Sequence, residues 1–182
     1  MRSGIPLRDG AGGTPLLVLV PRHPQRFDEV AALIERSGLS LQRRSHWVDT
    51  PPPAADSADV WLGDTLGEMP LYYAVADVAL LGGSFAPLGG QNLIEAAACG
   101  CPLVLGPHTF NFEDAALLAI EAGAAVRMND LQHAVRRAVA LAGDPRRNEW
   151  VEAALAFAGS HRGATERMAK RIAMLLSGLD SI

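Results

Sequence analysis

From Gly82 the chain reads Gly-Gly-Ser-Phe-Ala-Pro-Leu-Gly-Gly and passes straight into Gln91-Asn92-Leu93-Ile94 and Glu95. Four glycines in nine residues let the backbone take positive φ and come close to a ligand. A helix predicted over 92–99 would turn its free N–H groups and positive dipole end toward that loop, a combination that holds anions. Glu95 stands about one turn in, where a carboxylate suits the paired hydroxyls of a ribose. The candidate nucleotide-binding residues of this stretch are Ser84, Gly89, Gly90, Gln91, Asn92, Leu93, Ile94 and Glu95. The plain structural alternative is a tight strand-to-helix turn, with Glu95 only complementing the dipole. The spacing is neither the dinucleotide fingerprint nor a Walker loop, so neither NAD nor ATP hydrolysis is indicated.

Other polar residues follow other apolar runs. Pro21-Arg22-His23 comes after Leu16–Val20, and a guanidinium there could grip a phosphate bidentately; a solvated arginine is the alternative. Gly67 and Glu68 precede a helix expected near Pro70, where their amides would meet a base or phosphate, or Glu68 would simply be a first-turn acid. Asp64 reads as the N-cap of that helix. His108 and Asn111, after a later strand, either line a cleft or satisfy loop backbone. The sequence has no Asp-x-Asp pair, no His/carboxylate cluster at metal spacing and no nucleophile elbow, so no metal or covalent catalyst is expected.

These residues need elements to position them. Leu16–Val20 is a continuous apolar run, the pattern of a strand buried on both faces, and Pro21 ends it. Phe27, Val30, Ala31 and Ile34 recur at helical spacing up to Gly38. A short exposed strand is predicted at 41–45, and a loop at 50–58 around three prolines. Strands are then predicted at 59–62, 77–81, 102–105 and 124–127, alternating with helices near 69–76, 92–99 and 113–122. Helices alone follow, at 131–142, 146–158 and 164–176. This alternation predicts an α/β domain: a doubly wound parallel sheet with C-terminal helices. Ligands of such sheets bind outside the strands' carboxyl ends, so the polar segments described above belong to one cleft.

With 182 residues the chain suffices for one domain with a substantial core, expected over 15–182 after a flexible polar lead-in at 1–14. A net charge of -4 argues against nucleic acid as a partner. No uninterrupted apolar run is long enough to span a bilayer, and the N-terminus lacks the apolar core of a secretion signal. Cys99 and Cys101 are too close to staple the fold and are expected to be buried and reduced, as in a cytoplasmic protein.

Taken together, Val20-Pro-Arg-His-Pro24 with Arg26-Phe27, Gly63-Asp-Thr-Leu-Gly-Glu68, Gly82-Gly-Ser84, Gly89-Gly90-x-Asn92, Glu95 and Gly106-Pro-His-Thr-Phe-Asn-Phe112 resemble the C-terminal domain of bacterial Kdo (3-deoxy-D-manno-octulosonic acid) transferases. The resemblance covers about Pro15 to Ile172. It implies the donor-binding, Rossmann-like half of a glycosyltransferase-B fold. That family transfers Kdo from CMP-Kdo to a lipid A precursor in lipopolysaccharide biosynthesis, at the cytoplasmic face of the inner membrane, without a metal cofactor. Carried over by motif, the CMP contacts fall on Pro21 and Arg22, on Leu66, Gly67 and Glu68, and on Asn92 to Glu95. The resemblance further implies that the acceptor site, membrane anchor and catalytic glutamate base belong to an N-terminal domain outside this sequence. This chain alone is then expected to bind donor without transferring it, and no catalytic residue is assigned here. A central strand ahead of Leu16 is expected to be absent or improvised. Gln91 replaces the family's usual His and Ala96 its usual Pro; Gln91 cannot titrate near neutral pH. The competing readings are a nucleotide-binding module without chemistry, and a UDP-sugar transferase or epimerase domain of the same fold.

Overall fold

The computed structural model describes residues 15–161 together with Ile172 and Met174. Strands and helices alternate as the apolar periodicity requires: β1 Leu17–Leu19, α1 Phe27–Arg36, β2 Leu41–Arg43, β3 Val60–Leu62, α2 Met69–Val75, β4 Ala79–Leu80, α3 Ile94–Ala98, β5 Leu103–Leu105, α4 Glu113–Glu121, β6 Ala125–Arg127, α5 Leu131–Ala142 and α6 Arg147–His161. Every strand pairing is parallel. The strands form two ladders, β1-β3-β2 and β4-β5-β6, with β3 in register at Leu17↔Val60 and Leu41↔Val60, and β5 at Ala79↔Leu103 and Leu103↔Ala125. The α/β class with parallel strands and trailing helices is the one the sequence predicts. The lead-in at 1–14 and most of the expected helix at 164–176 lie outside the described residues; Ile172 and Met174 are helical and exposed.

Burial separates the two ladders. All three residues of β5 are fully buried, as a parallel strand covered on both faces must be. The run at β1 predicts the same, yet Leu17 is 45% exposed. Among the described residues β1 pairs with β3 alone, so no further strand extends the covering layers across its other edge.

Around the second ladder, Leu81, Leu93, Ala96, Ala97, Leu103 and Leu105 pack with Ala154, Phe157 and Ala158. The last three recur at i, i+3 and i+4 and present one face of α6 to α3. Small side chains bring these helices close: a Cβ on Gly100, whose φ is +73°, would lie 3.2 Å from Val151 Cγ1. Around the first ladder, Val30, Ala31 and Ile34 of α1 close over Val60 and Leu62. Helix α2 joins the halves. The Cys99 thiol lies 3.6 Å from the Pro70 carbonyl oxygen, and Tyr73 packs into the second core, where burial pushes its hydroxyl pKa up to about 12. Burial likewise pushes the Cys101 thiol up to about 12. Cys101 is buried as expected, whereas Cys99 is only half-buried; both are free.

Candidate functional site at the carboxyl ends of the strands

The glycine-rich segment after β4 is held by the loop after β5. It begins as one 3-10 turn, Gly82–Ser84. Ser84, 1% exposed, donates its hydroxyl to the Leu81 carbonyl at 2.5 Å and accepts from the Gly106 amide at 2.6 Å. Its own carbonyl accepts from the His108 amide at 2.9 Å. One buried serine thus cross-links two strand ends. Gly106 can hold no larger residue in this backbone, since an added Cβ would lie 2.3 Å from the Ser84 carbonyl oxygen. Ser84→Ala leaves the Gly106 amide buried without its acceptor, so a loss of about 2 kcal/mol is expected in denaturant unfolding.

Farther along, Gly89 and Gly90 take φ of +85° and +83°, the left-handed region that glycine enters freely. The Gly89 carbonyl accepts from the Asn111 amide at 3.1 Å, and the Asn111 side chain donates to the Leu88 carbonyl at 3.3 Å. Gln91 leans over Gly83, where a Cβ would come within 3.3 Å of its Cγ. The helix predicted from Asn92 begins instead at Ile94, because the Asn92 side-chain oxygen accepts from the Ile94 amide at 3.1 Å and takes the place of a further helical turn. Asn92 also donates to Glu95 at 2.9 Å, fixing that carboxylate at the loop's exit. Asn92 and Glu95 are exposed and Ile94 is half-buried against the core. Leu93 is 1% exposed, so its side chain belongs to the core and only its backbone could meet a ligand.

A second group forms where β2 and β3 end. Asp64 does not cap α2, whose N-cap is Glu68. It is buried and accepts from the Ser45 amide at 2.8 Å, the Ser45 hydroxyl at 2.6 Å and Arg43 Nε at 2.6 Å. The lone acidic residue after a strand looks like a cap; its partners lie at the end of β2 and in the turn that follows it, and carry no local signal. Glu68 accepts from Arg44 at 2.7 Å, from the Tyr72 hydroxyl at 3.1 Å and from the Thr65 hydroxyl. The Thr65 bond is the main cause holding its carboxyl below the ordinary range, helped by Tyr72 and Arg44. Beside them Leu66 is 74% exposed, and Gly67, at φ +82°, has nothing within 4 Å of where a Cβ would stand. That stretch is open for a ligand to approach the backbone.

At the end of β1, Pro21 is half-buried and Arg22 and His23 are exposed. Among the described residues the Arg22 guanidinium has no hydrogen-bond or salt-bridge partner, unlike Arg43, Arg44 and Arg127. The structure therefore joins the loops after β4 and β5 into one unit and the ends of β2 and β3 into another, with α2 packed on α3 between them. Among the described residues the Arg22 guanidinium hydrogen-bonds to neither. Among the described residues no group of three side chains is arranged to hold a metal, and no helix is long and apolar enough to cross a membrane.

No protein-family model matches the chain. It is similar to a solved crystal structure, the C-terminal CMP-Kdo binding domain of WaaA from Acinetobacter baumannii, with a TM-score of 0.70 and 34% identity, over 78% of this chain and 72% of that one. The chain belongs to the 3-deoxy-D-manno-octulosonic acid transferase family. Its relatives in that family include the transferase of Bordetella pertussis, 58% identical over 84% of this chain and 35% of that protein. The Haemophilus influenzae transferase is 39% identical over 68% of this chain and 28% of its own length. The chain thus spans about a third of the length of these Kdo transferases, and the part it corresponds to is the family's C-terminal half of a glycosyltransferase-B fold.

Proposed function

We propose that this chain binds CMP-Kdo as the donor half of a Kdo transferase, the whole protein passing Kdo to a lipid A precursor at the cytoplasmic face of the inner membrane. The observation that carries the reading is the likeness to a solved CMP-Kdo binding domain, at 34% identity and TM-score 0.70. The local geometry agrees with it. Among the described residues Arg22 has no hydrogen-bond or ion-pair partner to surrender before taking the phosphate. Gly89 and Gly90 hold the left-handed turn just ahead of Asn92, and Glu95, hydrogen-bonded by Asn92, would take the ribose hydroxyls. Gly67 and Leu66, beside the charge-satisfied Glu68, leave exposed backbone for the cytosine ring, and Pro21 borders Arg22. Charge neutralisation by arginine makes a metal cofactor unnecessary for binding.

Calorimetric titration of the chain with CMP, UMP and AMP tests the assignment. CMP is expected to bind at least tenfold more tightly than either competitor. Preference for UMP would reassign the domain to uridine-nucleotide sugars, and no binding of any of the three would leave it a module without donor chemistry.

A further inference from the structure

We infer that Arg127, at the end of β6, is a positioning residue for the nucleotide site, acting through Thr109 and Glu113 on the Gly89–Gly90 turn. The inference rests on the donor-binding reading and extends it to Arg127 and Glu113, which lie outside every motif that suggested it. Arg127 is half-buried and donates from Nη1 and Nη2 to Glu113 at 3.1 Å each, and from Nη2 to the Thr109 hydroxyl at 2.8 Å. Thr109 in turn donates to Glu113. Arg127 Nε is buried with no partner among the described residues, so the guanidinium is held by these two side chains alone. A partly desolvated ion pair contributes little net stability but fixes geometry, because its members tolerate few arrangements.

The geometry it fixes leads into the candidate site. Thr109 is 3% exposed and its carbonyl accepts from the Phe112 amide at 2.7 Å, closing the turn that begins α4 at Glu113. Next to it, His108 and Thr109 wall the Gly90 backbone: a Cβ there would lie 3.4 Å from the His108 carbonyl oxygen and 3.5 Å from Thr109 Cα. Two residues on, the Asn111 amide holds the Gly89 carbonyl at 3.1 Å. A shift of the 106–112 loop must therefore move Gly89 and Gly90, the left-handed turn that leads into Asn92 and Glu95. Misplacement by a fraction of an ångström is costly in a preorganised site.

The test compares Arg127→Gln, Arg127→Lys and Thr109→Val in the full 182-residue chain. The readouts are CMP titration and the backbone amide shifts of Gly89, Gly90 and Asn111 without ligand. Both Arg127 variants are expected to move those amides and to weaken CMP about tenfold. Lysine fails to rescue because it cannot span Thr109 and Glu113 together. Thr109→Val, nearly isosteric, is expected to do the same to a lesser degree, and it decides the matter if the Arg127 variants do not fold. Unmoved Gly89 and Gly90 amides with unchanged CMP affinity would overturn the inference, whatever happens to Tm. Should the wild-type chain not bind CMP at all, the donor reading falls while the amide shifts still decide whether Arg127 positions the turn.

Discussion

Replacing Arg22 by alanine is expected to weaken CMP binding roughly 30-fold while leaving Tm within about 2 °C of the wild type. The two halves of that expectation have separate causes. Arg22 is exposed and makes no hydrogen bond or ion pair with the described residues, so its removal breaks nothing in the fold; exposed substitutions of this kind stay within about 0.5 kcal/mol. A charge-assisted bond to phosphate contributes about 2 kcal/mol, and each 1.4 kcal/mol is tenfold in affinity. Arg22→Lys should recover part of the loss, since a point charge replaces a bidentate fork. The contrast with the neighbouring arginines sharpens the comparison. Arg43 and Arg44 are already committed to Asp64 and Glu68, and their replacement should lower stability before it touches affinity. Titration and thermal melting of Arg22→Ala measure both quantities, and undiminished CMP affinity would remove Arg22 from the site.

The largest stability effect is expected at Asp64. Asp64→Ala removes the acceptor of the Ser45 amide, the Ser45 hydroxyl and Arg43 Nε at once. The Asp64 side chain is 1% exposed and that of Arg43 24%, so the arginine keeps some hydration and its second partner, Asp28, at 2.8 Å. Breaking a buried pair costs about 3–5 kcal/mol; the residual exposure of Arg43 places this case near 3 kcal/mol, a fall in Tm of roughly 6–12 °C for a domain of this size. The pH dependence has a definite sign. Burial pushes the Asp64 carboxyl up, but the hydrogen bonds from Ser45 and Arg43 outweigh it and hold the pKa below the ordinary value. A depressed folded pKa contributes stability that is present above the unfolded value of about 3.9 and lost as pH falls through the folded one. Below about pH 4 the wild type should therefore lose stability more steeply than Asp64→Ala, and the two curves should converge. Parallel curves across that range would show that the carboxylate contributes nothing through its ionisation.

Most of the fold was legible because its signals are local. Leu103–Leu105 reads as a buried strand and is one; Phe27–Arg36 and Leu131–Ala142 follow their apolar spacing, and Asp130 caps the latter through the His133 amide at 2.9 Å. The errors arise where a side chain answers to something distant or replaces a backbone bond. Asp64 reads as a cap because its true partners, Arg43 and Ser45, are 21 and 19 residues away. The spacing starts α3 at Asn92 because the sequence cannot show that its side chain folds back onto the Ile94 amide. The run at β1 reads as buried on both faces because composition announces an apolar strand without saying which neighbours flank it. At the candidate site, glycines and Glu95 announce themselves by type and spacing. Ser84's role as a cross-link and the Arg127–Glu113–Thr109 brace were invisible, since they join segments from 14 to 22 residues apart.

Amide chemical-shift mapping during a CMP titration decides whether the loops after β1, β3 and β4 form one donor site. The backbone signals of Arg22, Gly67 and Gly89 to Glu95 are expected to move together, saturating at a single Kd, with the Asn111 amide following Gly89. Shifts confined to one of these loops, or clustered instead near Trp61 and Ala55 at the opposite ends of the strands, would contradict it.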